Sequence, residues 1–171
     1  MIRLETSRLL FRDHQEADLE PFCRMESDPE YRFPQVVHPR AELERSFREA
    51  WLITKPMGLL ATVLKSQNQY IGRCGLYPHR NDDDQVIPGE ANIAFYLARP
   101  YWNQGFATEA GKAFIDFGFN NLGLSRIEAG MNANNLASIR VVQKLGFVWV
   151  KTGEGGGNTW HLYELRNKAI Q

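Results

Sequence analysis

Hydrophobic and polar positions along the chain fall into two patterns. Stretches in which apolar and polar residues alternate, or in which apolar residues run together between turn residues, predict strands; apolar residues at every third or fourth position predict helices. The predicted strands cover residues 2–12, 58–64, 70–76, 91–97, 126–131, 148–152 and 159–165. The predicted helices cover residues 16–25, 40–53, 106–121 and 136–145. Residues 31–39, which contain prolines and aromatic residues, and the polar residues 77–89 predict loops.

The order of these elements predicts a single α/β domain over residues 1–171, with a mixed, twisted central sheet of six to seven strands and four flanking helices. The 20 basic and 20 acidic residues give a formal net charge of zero. That balance provides no electrostatic footprint for nucleic acid or an anionic membrane. There is no apolar run of transmembrane length and no signal-peptide layout. Cys23 and Cys74 are too few, and the four histidines too scattered, for a metal site. We therefore expect a cytoplasmic protein that binds no metal, nucleic acid or membrane.

Residues Tyr101–Glu109 join the predicted strand 91–97 to the predicted helix 106–121 through a short turn that contains Gly105. The first N–H groups of a helix have no partner within it, and they lie at the positive end of its dipole. Gly105 has no Cβ to keep an anion away, so the junction is suited to phosphate. The plain structural interpretation is an ordinary helix start, with Glu109 complementing the dipole.

Three further stretches surround this junction in a fixed order. They are residues Glu5–Arg12, Ile71–Leu76 and Asn134–Phe147. Together with Trp102–Ala110 they resemble the GNAT acetyltransferases, in particular the RimJ/RimL-type branch that acetylates the N-termini of ribosomal proteins. The resemblance extends over residues 2–163. It implies the GNAT fold, acetyl-CoA as cosubstrate, and strands 91–97 and 126–131 that splay apart to admit the pantetheine arm.

The resemblance also implies which residues bind acetyl-CoA. Gly105 and Ala107 match the family's phosphate motif, whereas Trp102 stands where the general motif has Gln or Arg. Binding of the pyrophosphate should therefore depend on backbone N–H donors more than on a side-chain cation. A backbone N–H near Phe95–Leu97 should polarise the thioester carbonyl. The expected acetyl-CoA-binding residues are Phe95, Tyr96, Leu97, Gln104, Gly105, Phe106, Ala107, Thr108, Asn135 and Ser138.

Ser138 is the expected general acid for the departing thiolate, because RimL-like members have a serine at this position. Many other GNAT enzymes use a tyrosine one turn further along, where this chain has Val142. The structural alternative is capping: Asn135 at the N-cap, Ser138 in the first turn and Gly146 just after the end of the helix. The two roles are compatible.

The general base is less well defined by the sequence. Glu90 begins the splayed strand, and family members often have a glutamate there; the alternative is a solvated carboxylate at the strand edge. His79, on the predicted loop 77–89, is a candidate for the acceptor site and could titrate usefully. Glu164 on the last strand is a third candidate.

The expected acceptor is the α-amine of a protein or peptide. An α-amine with a pKa near 7.8 is roughly a quarter neutral at pH 7.4, whereas a lysine side chain with a pKa near 10.4 is about 0.1% neutral. An α-amine acceptor therefore needs less help from a base. Tyr31 and Phe33 are expected to line its pocket. A small-molecule amine as acceptor, or a module that binds acetyl-CoA without turnover, are the alternatives, and the protein is expected to be a monomer or a homodimer.

Overall fold

The computed structural model describes residues 2–30, 38–52 and 57–170. Within these residues the chain forms four α-helices and one sheet of eight strands. The strands are β1 Ile2–Glu5, β2 Leu9–Arg12, β3 Gly58–Leu64, β4 Gln69–Arg80, β5 Val86–Leu97, β6 Arg126–Asn132, β7 Val148–Gly155 and β8 Asn158–Arg166. The helices are α1 Leu19–Glu26, α2 Arg40–Leu52, α3 Phe106–Asn120 and α4 Leu136–Lys144. None of the described helices is long and apolar enough to cross a bilayer. Tyr31 and Phe33, predicted to line the acceptor pocket, lie outside the described residues.

The strands lie in the order β1-β2-β3-β4-β5-β6-β8-β7, and only β5 and β6 are parallel. Parallel neighbours need a crossover connection, which the 15-residue helix α3 provides. This arrangement confirms the predicted mixed α/β sheet with four helices. The sheet has one strand more than expected, because residues 2–12 form a hairpin of two strands rather than one strand.

The predicted loop at residues 77–89 is too long. Strand β4 continues to Arg80, and β5 already begins at Val86, where the two strands still pair. This end of the hairpin is largely exposed on both faces, so its side chains do not show the alternation by which a half-buried strand is recognised. His79 consequently lies on a strand and not, as predicted, on a loop.

Helices cover the sheet on both faces. On one face α3 and α4 pack on Phe11, Ile71 and Ile127 of the sheet, and these residues and Val142 of α4 have no exposed surface. On the other face α1 and α2 bring Phe22 and other apolar residues against β3 and β4. Each fully buried side chain of this size stabilises the fold by about 1.5–3 kcal/mol relative to exposure.

A buried ion pair joins helix α1 to strand β4 of the sheet. The Arg73 guanidinium donates to Glu26 across 2.9 Å, and it lies over the rings of Phe22 and Tyr96, 5.0 Å from each centroid. Both charged side chains are almost completely buried. Because an unpartnered buried charge is costly, the pair fixes the position of α1 relative to β4 and β5.

His14 gives the fold a dependence on pH. Its ring is 8% exposed, packs 5.3 Å from the Phe47 ring and lies 3.0 Å from the Leu59 carbonyl, to which the neutral imidazole donates through Nε2. Burial lowers the pKa of His14 from 6.5 to about 4. The unfolded chain therefore binds this proton first as the pH falls. The contribution of His14 to stability is complete above pH 6.5 and is lost as the pH falls toward 4.

We predict that His14 alone removes about 2 kcal/mol from the free energy of unfolding between pH 7.5 and pH 5. The His14→Asn variant keeps a donor for Leu59 but cannot titrate, so its stability should change less over the same interval. Urea denaturation of both proteins at the two pH values measures the difference. Equal losses in the wild type and the variant would contradict the assignment.

Candidate active site

Strands β5 and β6 pair over only three residues each. Glu90, Ala91 and Asn92 lie opposite residues 126–128, and beyond Asn92 the two strands diverge. Strand β5 stays paired with β4 as far as Leu97, and β6 stays paired with β8 as far as Asn132. The predicted splay of these strands is thus confirmed. It opens a cleft of about 590 Å³, within the usual size range of ligand sites.

The cleft is lined by β5, β6, the start of α3 and helix α4 as far as Lys144, and β4 contributes Tyr77. Nine residues predicted for the site line it, namely Phe95, Tyr96, Leu97, Gly105, Phe106, Ala107, Thr108, Asn135 and Ser138. Of the other predicted residues that the structure describes, Gln104, Glu90 and His79 are not among the lining residues. Most of the lining side chains are small or apolar, and Arg140 and Lys144 of α4 are the charged residues among them.

The turn before α3 presents unpaired amides to one end of the cleft. Gly105 has φ +80° and ψ 0°, a left-handed conformation that favours glycine. The first hydrogen bond of the helix runs from the Glu109 N–H to the Gly105 carbonyl (3.0 Å), so the amides of residues 106–108 lie ahead of that ladder. Gly105, at the N-cap, has no side chain with which to cap them. We call residues 105–108 the amide seat.

Two side chains of the same turn stabilise its shape. The Trp102 indole N–H donates to the Leu97 carbonyl across 2.6 Å, which ties the turn to the end of β5. The Gln104 amide donates to the Pro100 carbonyl across 2.7 Å. Trp102, the departure from the general phosphate motif, is thus an anchor for the turn, and the Gln104 side chain is turned back along the chain.

Arg8 and Glu109 support the amide seat from the β1–β2 hairpin. The Arg8 guanidinium donates to Glu109 (2.6 Å) and to the Gln104 carbonyl (3.1 Å), and it lies over the Phe106 ring, 4.3 Å from the centroid. Glu109 also accepts from the Thr6 hydroxyl and the Arg8 amide. Burial raises the pKa of Glu109, but these hydrogen bonds outweigh it and the net pKa lies below its ordinary value. An ionised Glu109 therefore holds the hairpin against the seat.

Helix α4 begins at the opposite wall of the cleft. Asn135 Oδ1 accepts the Ser138 N–H across 3.1 Å, which confirms the predicted N-cap. At the other end Gly146 has φ +88°, and the Phe147 N–H donates to the Val142 carbonyl across 3.0 Å, so the helix ends in a Schellman motif. The cap uses the Ser138 backbone and leaves its hydroxyl for other contacts.

A cluster of charged residues lies along the short stretch in which β5 and β6 pair. The Arg126 guanidinium contacts Glu90, and it lies 2.7 Å from Glu128 and 3.3 Å from Glu164. Hydrogen bonds from Arg166 and then Arg126 hold the pKa of Glu164 below its ordinary value. Glu90 is neither solvated nor free, since its carboxylate is bound to Arg126. The carboxylates of Glu90 and Glu164 are therefore both paired with arginine side chains.

His79 lies beside this cluster. Its Nδ1 is 3.3 Å from Glu128 Oε2 and 3.4 Å from Asn92 Oδ1, and the side chain is 19% exposed. Asn92 and Glu128 face each other as the last paired residues of β5 and β6. The imidazole thus lies at the point where β5 and β6 stop pairing, which we call the vertex of the cleft.

The GNAT acetyltransferase domain matches residues 8–148 of this chain. The chain belongs to the GNAT family. It is 32% identical to the uncharacterized N-acetyltransferase p20 of Bacillus licheniformis over 86% of this chain and 83% of that protein. This GNAT protein is accordingly an acyltransferase that uses acetyl-CoA.

Solved structures agree on the fold. A GNAT acetyltransferase from Bacillus anthracis superposes with a TM-score of 0.81 at 21% identity, covering 96% of this chain and 97% of the other. The ribosomal L7/L12 α-N-protein acetyltransferase RimL in complex with coenzyme A superposes with a TM-score of 0.80 at 16% identity, covering 99% of both chains.

Sequence reasoning missed three side chains of this GNAT site. Arg8 belongs to a stretch that carried the resemblance, but its contact with Glu109 depends on how the first hairpin folds back. Glu128 could have been noticed in the sequence, because it is a charged residue between Ile127 and Ala129 in an apolar strand. Such a side chain must face away from the core or pair with another polar group. Asn92 gave no signal of its own.

Proposed function

We propose that this protein transfers the acetyl group of acetyl-CoA to the α-amine of a protein or peptide by direct transfer in a ternary complex. The observation that carries the proposal is the cleft between β5 and β6, with the amide seat at one wall and Ser138 at the other. The similarity to the ribosomal L7/L12 α-N-protein acetyltransferase supports the choice of acceptor.

The residues around the cleft fit acetyl-CoA. A Cβ on Gly105 would have only the Arg8 guanidinium near it, at 3.5 Å, so the space above this glycine is open. The amides of residues 106–108 would hold the pyrophosphate. The edges of β5 and β6 that face each other beyond Asn92 lack a sheet partner within the described residues. They would bind the amides of the pantetheine arm, as unpaired backbone groups require.

Acetyl-CoA supplies a thioester whose carbonyl is the electrophile. The acceptor nitrogen forms the new C–N bond, the C–S bond breaks, and a backbone N–H of Phe95–Leu97 stabilises the oxyanion. The Ser138 hydroxyl gives a proton to the departing sulfur, and the proton that the amine loses balances it. The products are an N-acetylated amine and the free thiol of CoA.

The state of the carboxylates favours an α-amine over a lysine side chain. Glu90 and Glu164 are bound to Arg126, and Glu164 is also bound to Arg166. A lysine acceptor, mostly protonated at neutral pH, requires a strong and accessible base, whereas an α-amine requires much less. The side chains at the vertex of the cleft therefore suit an α-amine acceptor better than a lysine side chain.

The proposal predicts turnover with peptide N-termini. Thiol release from acetyl-CoA should be measured against peptides that begin with Ala, Ser or Met, matched peptides whose N-terminus is blocked but which contain lysine, and free amino acids, spermidine and an aminoglycoside. We expect acetylation of free N-termini and loss of the reaction when they are blocked. Turnover with spermidine or the aminoglycoside alone would replace the peptide acceptor with a small molecule. Binding without turnover on any amine would favour a non-catalytic module.

The amide seat is tested by Gly105→Val. A β-branched residue at φ +80° is strained by about 1–3 kcal/mol, and its side chain would occupy the phosphate position. We expect the affinity for CoA, measured by calorimetry, to fall at least about tenfold. Gly123→Val is the matched control: Gly123 has φ +65°, an added Cβ there meets nothing within 4 Å, and it lies beyond the far end of α3. It should lose similar stability but no affinity. Equal affinities of both variants and the wild type would refute the seat.

Ser138→Ala tests the proposed acid. Because the cap uses the Ser138 backbone N–H, the substitution leaves helix α4 capped. We expect kcat to fall by about 10²-fold, the lower end of the range for general acid catalysis, with the affinity for acetyl-CoA unchanged. Ser138→Thr, which keeps a hydroxyl, should recover part of the rate. A fall in affinity without a fall in kcat would instead make Ser138 a binding residue.

A further inference from the structure

The His79 ring lies just outside the lining of the cleft, where β5 and β6 make their last pairing before they diverge. Its contacts, Asn92 and Glu128, are the last paired residues of β5 and β6. The next residues along the two strands, Ile93 and Ala129, already line the cleft. Tyr77, two residues before His79 on β4, lines it as well. The imidazole is thus adjacent to the space in which an acceptor would meet the thioester.

The surroundings of Nδ1 determine which ring nitrogen is basic. A carboxylate can only accept a hydrogen bond, and so can the amide oxygen of Asn92. With both oxygens within 3.4 Å of Nδ1, the neutral ring carries its proton on Nδ1. The lone pair is then on Nε2. A buried carboxylate behind one nitrogen and a free lone pair on the other is the arrangement of a positioned base.

The charges near the ring are arranged around Glu128. Its side chain is 5% exposed, and its two oxygens divide between His79 and Arg126. Glu90 on β5 and Glu164 on β8 also contact Arg126, and among the described residues Glu128 is the carboxylate that pairs with the ring. Glu128 is therefore the carboxylate that orients His79, and Arg126 fixes Glu128.

We propose that His79 Nε2 accepts the proton of the acceptor amine, directly or through one water, and that Glu128 is the positioning residue that holds the ring for it. This inference rests on the proposed function, since it names the base of the same site. As the C–N bond forms, the N–H bond of the amine breaks and its proton passes to Nε2. The imidazolium then releases this proton to solvent, and Ser138, which has protonated the sulfur, regains one from solvent. A neutral imidazole is matched to an α-amine, which is partly deprotonated at neutral pH.

The ring is tested on the free enzyme and in turnover. Nitrogen-15 NMR of the histidine rings should find His79 protonated on Nδ1 in the wild type, and Glu128→Gln should disturb that tautomer. In turnover with Ala- or Ser-initiated peptides, His79→Ala should lower kcat/KM by about 10²-fold, and added imidazole should restore part of the rate. The affinity for acetyl-CoA should not change.

Glu164→Gln is the matched control for Glu128→Gln. Both substitutions remove a carboxylate from Arg126, but only Glu128 contacts the ring. Glu164→Gln should keep the tautomer and the rate, and Glu128→Asp, which keeps the charge, should retain more activity than Glu128→Gln. A ring protonated on Nε2, or a His79→Ala rate within about twofold of the wild type, would overturn the assignment. Failure of the proposed function can be distinguished from failure of the His79 assignment. The first would appear as a wild-type enzyme that acetylates no peptide, whereas the second is read from the tautomer of the ring, which is measured without turnover.

Discussion

The end of pairing between β5 and β6 after Asn92 and Glu128 is the constraint on which the site depends. Each strand is held on its far side by an antiparallel partner, β4 for β5 and β8 for β6. The gap therefore cannot close by a local slip of either strand without breaking pairing on the other side. Backbone groups left without a partner in a buried gap need one, which suits the cleft to a ligand that contains amides.

The same divergence sets the position of the two helices that close the site. The turn before α3 follows the C-terminal end of β5, and α4 follows that of β6. In sheets of this kind ligands bind beyond the carboxyl ends of parallel strands, where helix N-termini converge. The amide seat and the Asn135 cap are thus two outcomes of one topological feature, and the Arg8–Glu109 contact locks the first of them to the β1–β2 hairpin.

Features that depend on the backbone over a few residues could be predicted from the sequence. Gly105 and the cap at Asn135 are examples, because a positive φ and a capping amide are properties of the local chain. The side-chain partnerships could not be predicted. Arg8 and Glu109 are 101 positions apart, and the pairing of Glu90 with Arg126 depends on the register of a parallel strand pair. A polarity pattern gives the faces of a strand but not which residue lies opposite, so Glu90 looked free and His79 looked exposed.

The two halves of the reaction would therefore be governed by different parts of the chain. In the proposed function the acetyl-CoA half depends on main-chain amides of the seat, and a substitution at Gly105 would disturb it. The acceptor half would use His79 and Glu128, and Glu128 is paired with Arg126, so a change at Glu128 would redistribute charge at the vertex of the cleft. Since the cleft walls do not depend on these side chains, the acceptor could change in evolution without loss of the fold or of acetyl-CoA binding. On this proposal, specificity for the amine would depend on the residues around His79 rather than on the shape of the sheet.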